Sequence, residues 1–172
     1  MKHNLPIHCI LTGGTIDSFY DATKDTVVPV INSVIPDYIK SLKLDNQISF
    51  TTICMKDSRQ LNESDRKNIL EVIEKSVETK IIITHGTYTM PDTARYLKTN
   101  LKRKNQVIVL TGSMIPLIGF SPSDAPFNLG FAIAKLTDLE PGIYVAMNGK
   151  IFDPEEVIKD LSEGKFSSIF QK

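Results

Sequence analysis

Five apolar runs in this 172-residue chain each end in a short polar segment, and these segments hold most of the side chains suited to covalent or acid–base chemistry. Thr12-Gly13-Gly14-Thr15 follows Ile7 to Leu11, and Lys56-Asp57-Ser58 follows Ile48 to Cys54. Thr84-His85-Gly86-Thr87 closes the run from Lys80, Thr111-Gly112-Ser113 follows Val107 to Leu110, and Asn148-Gly149 follows Ile143 to Met147. Glycine lets backbone approach a small ligand closely, and a hydroxyl serves as nucleophile or hydrogen-bond donor. Any one segment is equally what a turn or helix cap requires. Five of them together point to a cleft for a small polar molecule.

A threonine nucleophile must lose a proton, which calls for a nearby base or a cation-stabilised chain of hydroxyls. Tyr20, Lys56, Asp57 and Lys159 are the candidates in the polar segments. His85, directly after the third run, reads as a hydrogen-bonded scaffold residue rather than a general base. No G-x-S-x-G occurs, so no serine elbow is legible. Gly13-Gly14 lacks the spacing of a phosphate loop or a dinucleotide fingerprint, so no nucleotide cofactor is expected. Cys9 and Cys54 have no ligand spacing to one another or to the three histidines. They read as buried, reduced thiols, with no metal expected.

The elements that must position these groups alternate. The five runs are near-continuous in Ile, Val and Leu, as strands buried on both faces should be. Helical periods lie between them at 33–42 and at 62–79, the latter with Ile69, Leu70, Ile73 and Val77 on one stripe and Asn62 with Asp65 as a capping box. Pro91 fits the first turn of a helix to Lys102. Further helices are expected at 126–136 and 154–163. This pattern predicts a single α/β domain: three layers, doubly wound around a mostly parallel sheet, flavodoxin- or Rossmann-like. In such sheets ligands bind beyond the carboxyl ends of the strands, where the polar segments fall.

Lys plus Arg and Asp plus Glu number 20 each, with no long run of either sign, which excludes an electrostatic footprint for nucleic acid or an anionic membrane. The apolar stretch of MKHNLPIHCILTGG is too short for a signal core or a membrane span. The expected setting is cytoplasmic, and the expected partner a small molecule or another protein.

The segments Ile10-Leu11-Thr12-Gly13-Gly14-Thr15-Ile16, Ile83-Thr84-His85-Gly86-Thr87-Tyr88-Thr89-Met90 and Val109-Leu110-Thr111-Gly112-Ser113-Met114 closely resemble three signature segments of bacterial-type L-asparaginases. The likeness extends through Ser123 to Leu129 and Tyr144 to Gly149. It is strongest to short, single-domain members, so 1–172 is expected to be one amidohydrolase domain without a C-terminal domain. The resemblance implies Thr15 as nucleophile, Thr87 as second catalytic threonine and Lys159 as its supporting lysine. It implies that Ser58 binds a substrate carboxylate, that an amide near Ser113 faces the substrate amide, and that Gly14, Asp57, Arg59, Gly86 and Tyr88 also line the pocket. No cofactor is implied; a homodimer or larger homo-oligomer is.

This chain departs from the family pattern in three places. Thr87-Tyr88 stands where the family has Thr-Asp, replacing a carboxylate that grips the substrate ammonium, with Asp57, Asp17 and Asp124 as alternative anions. The loop tyrosine expected near Val27 is absent, leaving Tyr20 as the candidate. Arg59 and Gln60 stand where small or acidic residues are common, and a cation beside Ser58 favours an anionic ligand. Two readings follow: an asparaginase-like amidohydrolase releasing ammonia, with an altered substrate, or a catalytically silent domain that binds a small molecule.

Overall fold

The structure, a computed structural model, describes residues 5–170. In chain order its strands and helices are β1 (Ile7–Gly13), β2 (Ser18–Asp21), β3 (Thr26–Pro29), α1 (Ile35–Ser41), β4 (Ile48–Lys56), α2 (Glu63–Lys75) and β5 (Lys80–Thr84). They continue as α3 (Met90–Asn100), β6 (Val107–Thr111), α4 (Ala125–Lys135), β7 (Gly142–Met147), β8 (Lys150–Phe152), β9 (Val157–Asp160) and β10 (Lys165–Ser168). The main sheet runs β4-β1-β5-β6-β7-β8, with every pair parallel except β7–β8.

Alternation along the strands divides the core in two. Ile10, Ile81, Ile83, Ile108 and Leu110 face one side, against Ile69 and Ile73 of α2 and Met90, Ala94 and Leu97 of α3. Cys9, Leu11, Ile82 and Val109 face the other, against Ile35 and Ile39 of α1 and Ala125, Leu129 and Ala132 of α4. This is the expected three-layer α/β domain. The central strands β5 and β6 are apolar on both faces because each face carries helices, whereas the edge strand β4 keeps Ser49 and Thr52 exposed.

The capping box of α2 is present: Asn62 Oδ1 accepts from the Asp65 N–H at 3.1 Å, and Asp65 Oδ2 accepts from the Asn62 N–H at 3.0 Å. The helix stops at Lys75, short of the expected 79, and Val77 is 88% exposed rather than on the buried stripe. The Ser76 hydroxyl donates to Glu78 Oε2 at 2.7 Å and lies 2.8 Å from His8 Nδ1, and its backbone is extended.

Two other expectations are corrected. Asn148 and Gly149, both at positive φ, form the tight turn between β7 and β8 rather than an exit toward the site, the Asn-Gly pair being suited to such hairpins. The helix expected at 154–163 is the β9–β10 hairpin. Its β9 strand alternates with period two: Val157 is buried, Ile158 exposed and Lys159 turned back inward. Phe166 opposite Lys159 is buried, and Arg95 Nη2 of α3 donates to the Val157 carbonyl at 2.9 Å, fastening β9 to the domain.

Candidate active site

From β1 the chain runs to the edge strand β4 and returns to β5 on the other side of β1. The connections diverge between β1 and β5, the switch point where such sheets form their crevice. Glycines let the exits meet there. A Cβ on Gly14 would lie 2.3 Å from Gly86 Cα, and one on Gly86 would lie 2.6 Å from Ser58 Cβ. A Cβ on Gly112 would lie 2.3 Å from the His85 carbonyl oxygen. Gly14 also has φ 82°, ψ −176°, a region open essentially to glycine alone. Two further hydroxyls stitch strand ends: Thr12 Oγ1 donates to the Thr84 carbonyl at 2.8 Å and Thr111 Oγ1 to that of Ala146 at 2.9 Å.

Thr15 opens a 3-10 turn over Thr15–Asp17 and is half-buried. The turn is anchored on both sides. The Ser18 hydroxyl donates to the Gly14 carbonyl at 2.8 Å, and Asp17 Oδ1 accepts from the Val34 N–H at 2.8 Å. Asp17 is fully buried, and that burial raises its carboxyl above the usual range.

His85 is also fully buried and hydrogen-bonded through both nitrogens. A carbonyl only accepts, so the 2.7 Å contact from Nδ1 to the Gly86 oxygen places the proton on Nδ1. Nε2 then accepts from the Thr93 hydroxyl at 2.9 Å, whose oxygen accepts in turn from Arg66 Nε at 3.3 Å. Burial pushes the imidazole pKa down to about 4, so it stands neutral at pH 7 and orients the Gly86 peptide. Thr93 and Arg66 were not among the sequence candidates. Thr93 lies eight residues beyond His85, in the first turn of a segment read only as a helix.

The decisive contact is that of Lys159. Its Nζ lies 2.7 Å from Thr87 Oγ1, across 72 residues of sequence. Burial, and then the charge of Arg59, hold the amine below the usual lysine range, opposed by Asp57. A lysine so shifted reaches its free-base form more readily, and that form accepts the proton of a neighbouring hydroxyl.

Gly14, Thr15, Asp57, Ser58, Arg59, Gly86, Thr87, Tyr88 and Lys159 line one small cleft of about 50 Å3 with almost wholly polar walls. Thr89, also missed from sequence, orients Ser58: its hydroxyl donates to the Ser58 carbonyl at 2.8 Å and its N–H to Ser58 Oγ at 3.4 Å. The Arg59 guanidinium lies over the Tyr88 ring, 4.7 Å from its centroid.

Other sequence candidates lie outside this cleft. Tyr20, half-exposed on β2, donates its hydroxyl to the Asp25 carboxylate, a bond that raises the phenol pKa. Its cross-strand neighbour is Val27. Ser113 is buried, with its hydroxyl donating to the Ile115 carbonyl at 2.5 Å. Lys56 is taken by Asp65 at 2.8 Å, and Asp124 accepts from the Met114 and Ile115 N–H groups. Cys9 is buried and Cys54 half-buried; burial raises their thiols to about 12 and about 11, leaving both inert.

Fold and cleft together define a doubly wound α/β domain with two threonines at its switch point, one of them bonded to a lysine. The family model of the asparaginase N-terminal domain matches residues 6–168, and the chain belongs to the asparaginase family. It is 30% identical over 180 residues to a glutaminase-asparaginase of Acinetobacter glutaminasificans, covering 94% of this chain and 51% of the relative. L-asparaginase 2 of Escherichia coli is 30% identical over 165 residues, covering 89% and 46%. A crystal structure of a probable cytoplasmic L-asparaginase from Campylobacter jejuni superposes with a TM-score of 0.83 at 31% identity, covering 95% of this chain and 53% of that one. The chain thus spans about half the length of the relatives it matches.

Proposed function

We propose that this chain hydrolyses the terminal amide of a small molecule to a carboxylic acid and ammonia through a threonine ester. The Thr15 hydroxyl oxygen bonds to the amide carbonyl carbon, and its proton passes to the departing nitrogen, which leaves as ammonia. Water then adds to the ester, giving its proton through Thr87 to Lys159, and that proton passes to the Thr15 oxygen as it is expelled, which frees the acid and restores both the threonine and the amine. The sum is amide plus water to acid plus ammonia.

The observation that carries this reading is the 2.7 Å contact between Lys159 Nζ and Thr87 Oγ1, in a cleft that Thr15 also lines. The same contact favours a second assignment, in which Thr87 is the nucleophile and Lys159 its base. Ammonia release from an amide panel by the wild type, Thr15→Ala and Thr87→Ala is the test. Activity that disappears in Thr15→Ala supports the proposal. A wild type that binds amides with stabilisation but releases no ammonia would indicate the silent binding domain instead. A cytoplasmic location and homo-oligomeric assembly belong to the same proposal and rest on the family resemblance.

A further inference from the structure

The charges around the cleft are lopsided. Arg59 and Lys159 supply two cations, and Asp57 is the lone carboxylate in the lining. Asp57 Oδ1 already accepts from the Arg59 backbone N–H at 2.8 Å. Among the described residues, no carboxylate lies within ion-pair distance of either cation. The Arg59 guanidinium lies over the face of the Tyr88 ring, 4.7 Å from its centroid, a contact that leaves its N–H groups for another acceptor. That fork suits a bidentate carboxylate. An ammonium in the same place would meet two positive charges and a half-engaged Asp57.

Resting on the amidohydrolase reading, we propose that the substrate is the ω-amide of a dicarboxylic acid, a small amide bearing a carboxylate and no free ammonium, with Arg59 anchoring the carboxylate. Tyr88 is the positioning residue that holds the guanidinium at the cleft. Ser58 Oγ, on the same wall, is a further donor for that carboxylate.

The test pairs turnover with binding on the full chain. Ammonia release is measured from succinamate, L-asparagine and propionamide, and thermal stabilisation by succinamate, succinate and L-asparagine is measured in parallel. The expected result is a kcat/KM for succinamate at least tenfold above those for L-asparagine and propionamide. Arg59→Gln, at an exposed side chain, should raise KM for succinamate tenfold or more, a larger loss than it causes for propionamide, which carries no carboxylate. Tyr88→Asp, which sets a carboxylate beside Arg59, should shift preference toward L-asparagine. Equal or greater turnover of L-asparagine by the wild type would overturn the inference and leave the amidohydrolase intact. Failure of all three amides to react, with stabilisation by succinate that vanishes in Arg59→Gln, would overturn hydrolysis and keep the ligand class. Stabilisation by L-asparagine as strong as that by succinate, or by neither, would overturn the inference whatever the turnover.

Discussion

Acidification should destabilise this domain through His85. The imidazole is fully buried, neutral, and holds its one proton on Nδ1 toward the Gly86 carbonyl. Its pKa falls from 6.5 to about 4 on folding. A histidine depressed in this way contributes stability that is complete above about pH 6.5 and is lost as the pH falls toward 4, because the unfolded chain takes up the proton first. At 1.36 kcal/mol per pH unit, a gap of about 2.5 units corresponds to roughly 3 kcal/mol. Urea unfolding at half-unit intervals from pH 7.5 to 4 measures this for the wild type and for His85→Gln. His8 is depressed as well, and Asp17 is raised with the opposite sign, but both remain in each protein and cancel in the comparison. The gap in stability between the two proteins should shrink by about 3 kcal/mol across the window. Parallel curves would show that the imidazole titrates normally and that His85 does not fix the Gly86 peptide in the manner derived.

Other expectations follow from the same contacts. Lys159→Met keeps the stem and removes the amine, and should lower kcat by about 10²–10⁴-fold; in the wild type the rate should rise with pH as the amine loses its proton, beginning below the usual lysine range, and Lys159→Met should lose that limb. Gly14→Ala sets a Cβ 2.3 Å from Gly86 Cα at a backbone angle that costs a side chain about 1–3 kcal/mol before the clash is counted, so thermal unfolding should show severe destabilisation. Asn62→Ala removes the α2 cap and should cost about 1 kcal/mol in urea unfolding.

The five parallel strands were legible because each is a mostly apolar run that ends in a polar exit, near-continuous at the centre of the sheet and interrupted by Ser49, Thr51 and Thr52 on the edge strand β4, and α2 announced its start through Asn62 and Asp65. The exits around Thr15, Ser58 and Thr87 were legible from glycine and hydroxyl content. Lys159 stood among four candidate bases by residue type, and its pairing with Thr87 came from the family resemblance; local patterning had suggested a helix there, since Pro154 imitates a helix start. The β9 strand becomes readable only with Phe166 packed beneath it. Val77 matched the stripe of α2, but Ser76 is captured by Glu78 and His8, a contact made 68 residues away in sequence. Asn148-Gly149 joined the list of exits because its composition is shared by site loops and hairpins. Tyr20 sits on the loop that Thr15 begins, yet the period-two pairing of β2 with β3 sets it beside Val27, on the hairpin.

The most direct measurement is rapid acid quench of the chain during turnover of the amide it hydrolyses best, followed by peptide mass mapping. The account predicts a transient acyl mass on the peptide containing Thr15, absent in Thr15→Ala and accumulating in Lys159→Met, where the water step is slowed. An acyl mass on the peptide containing Thr87, or turnover that persists in Thr15→Ala, would contradict it.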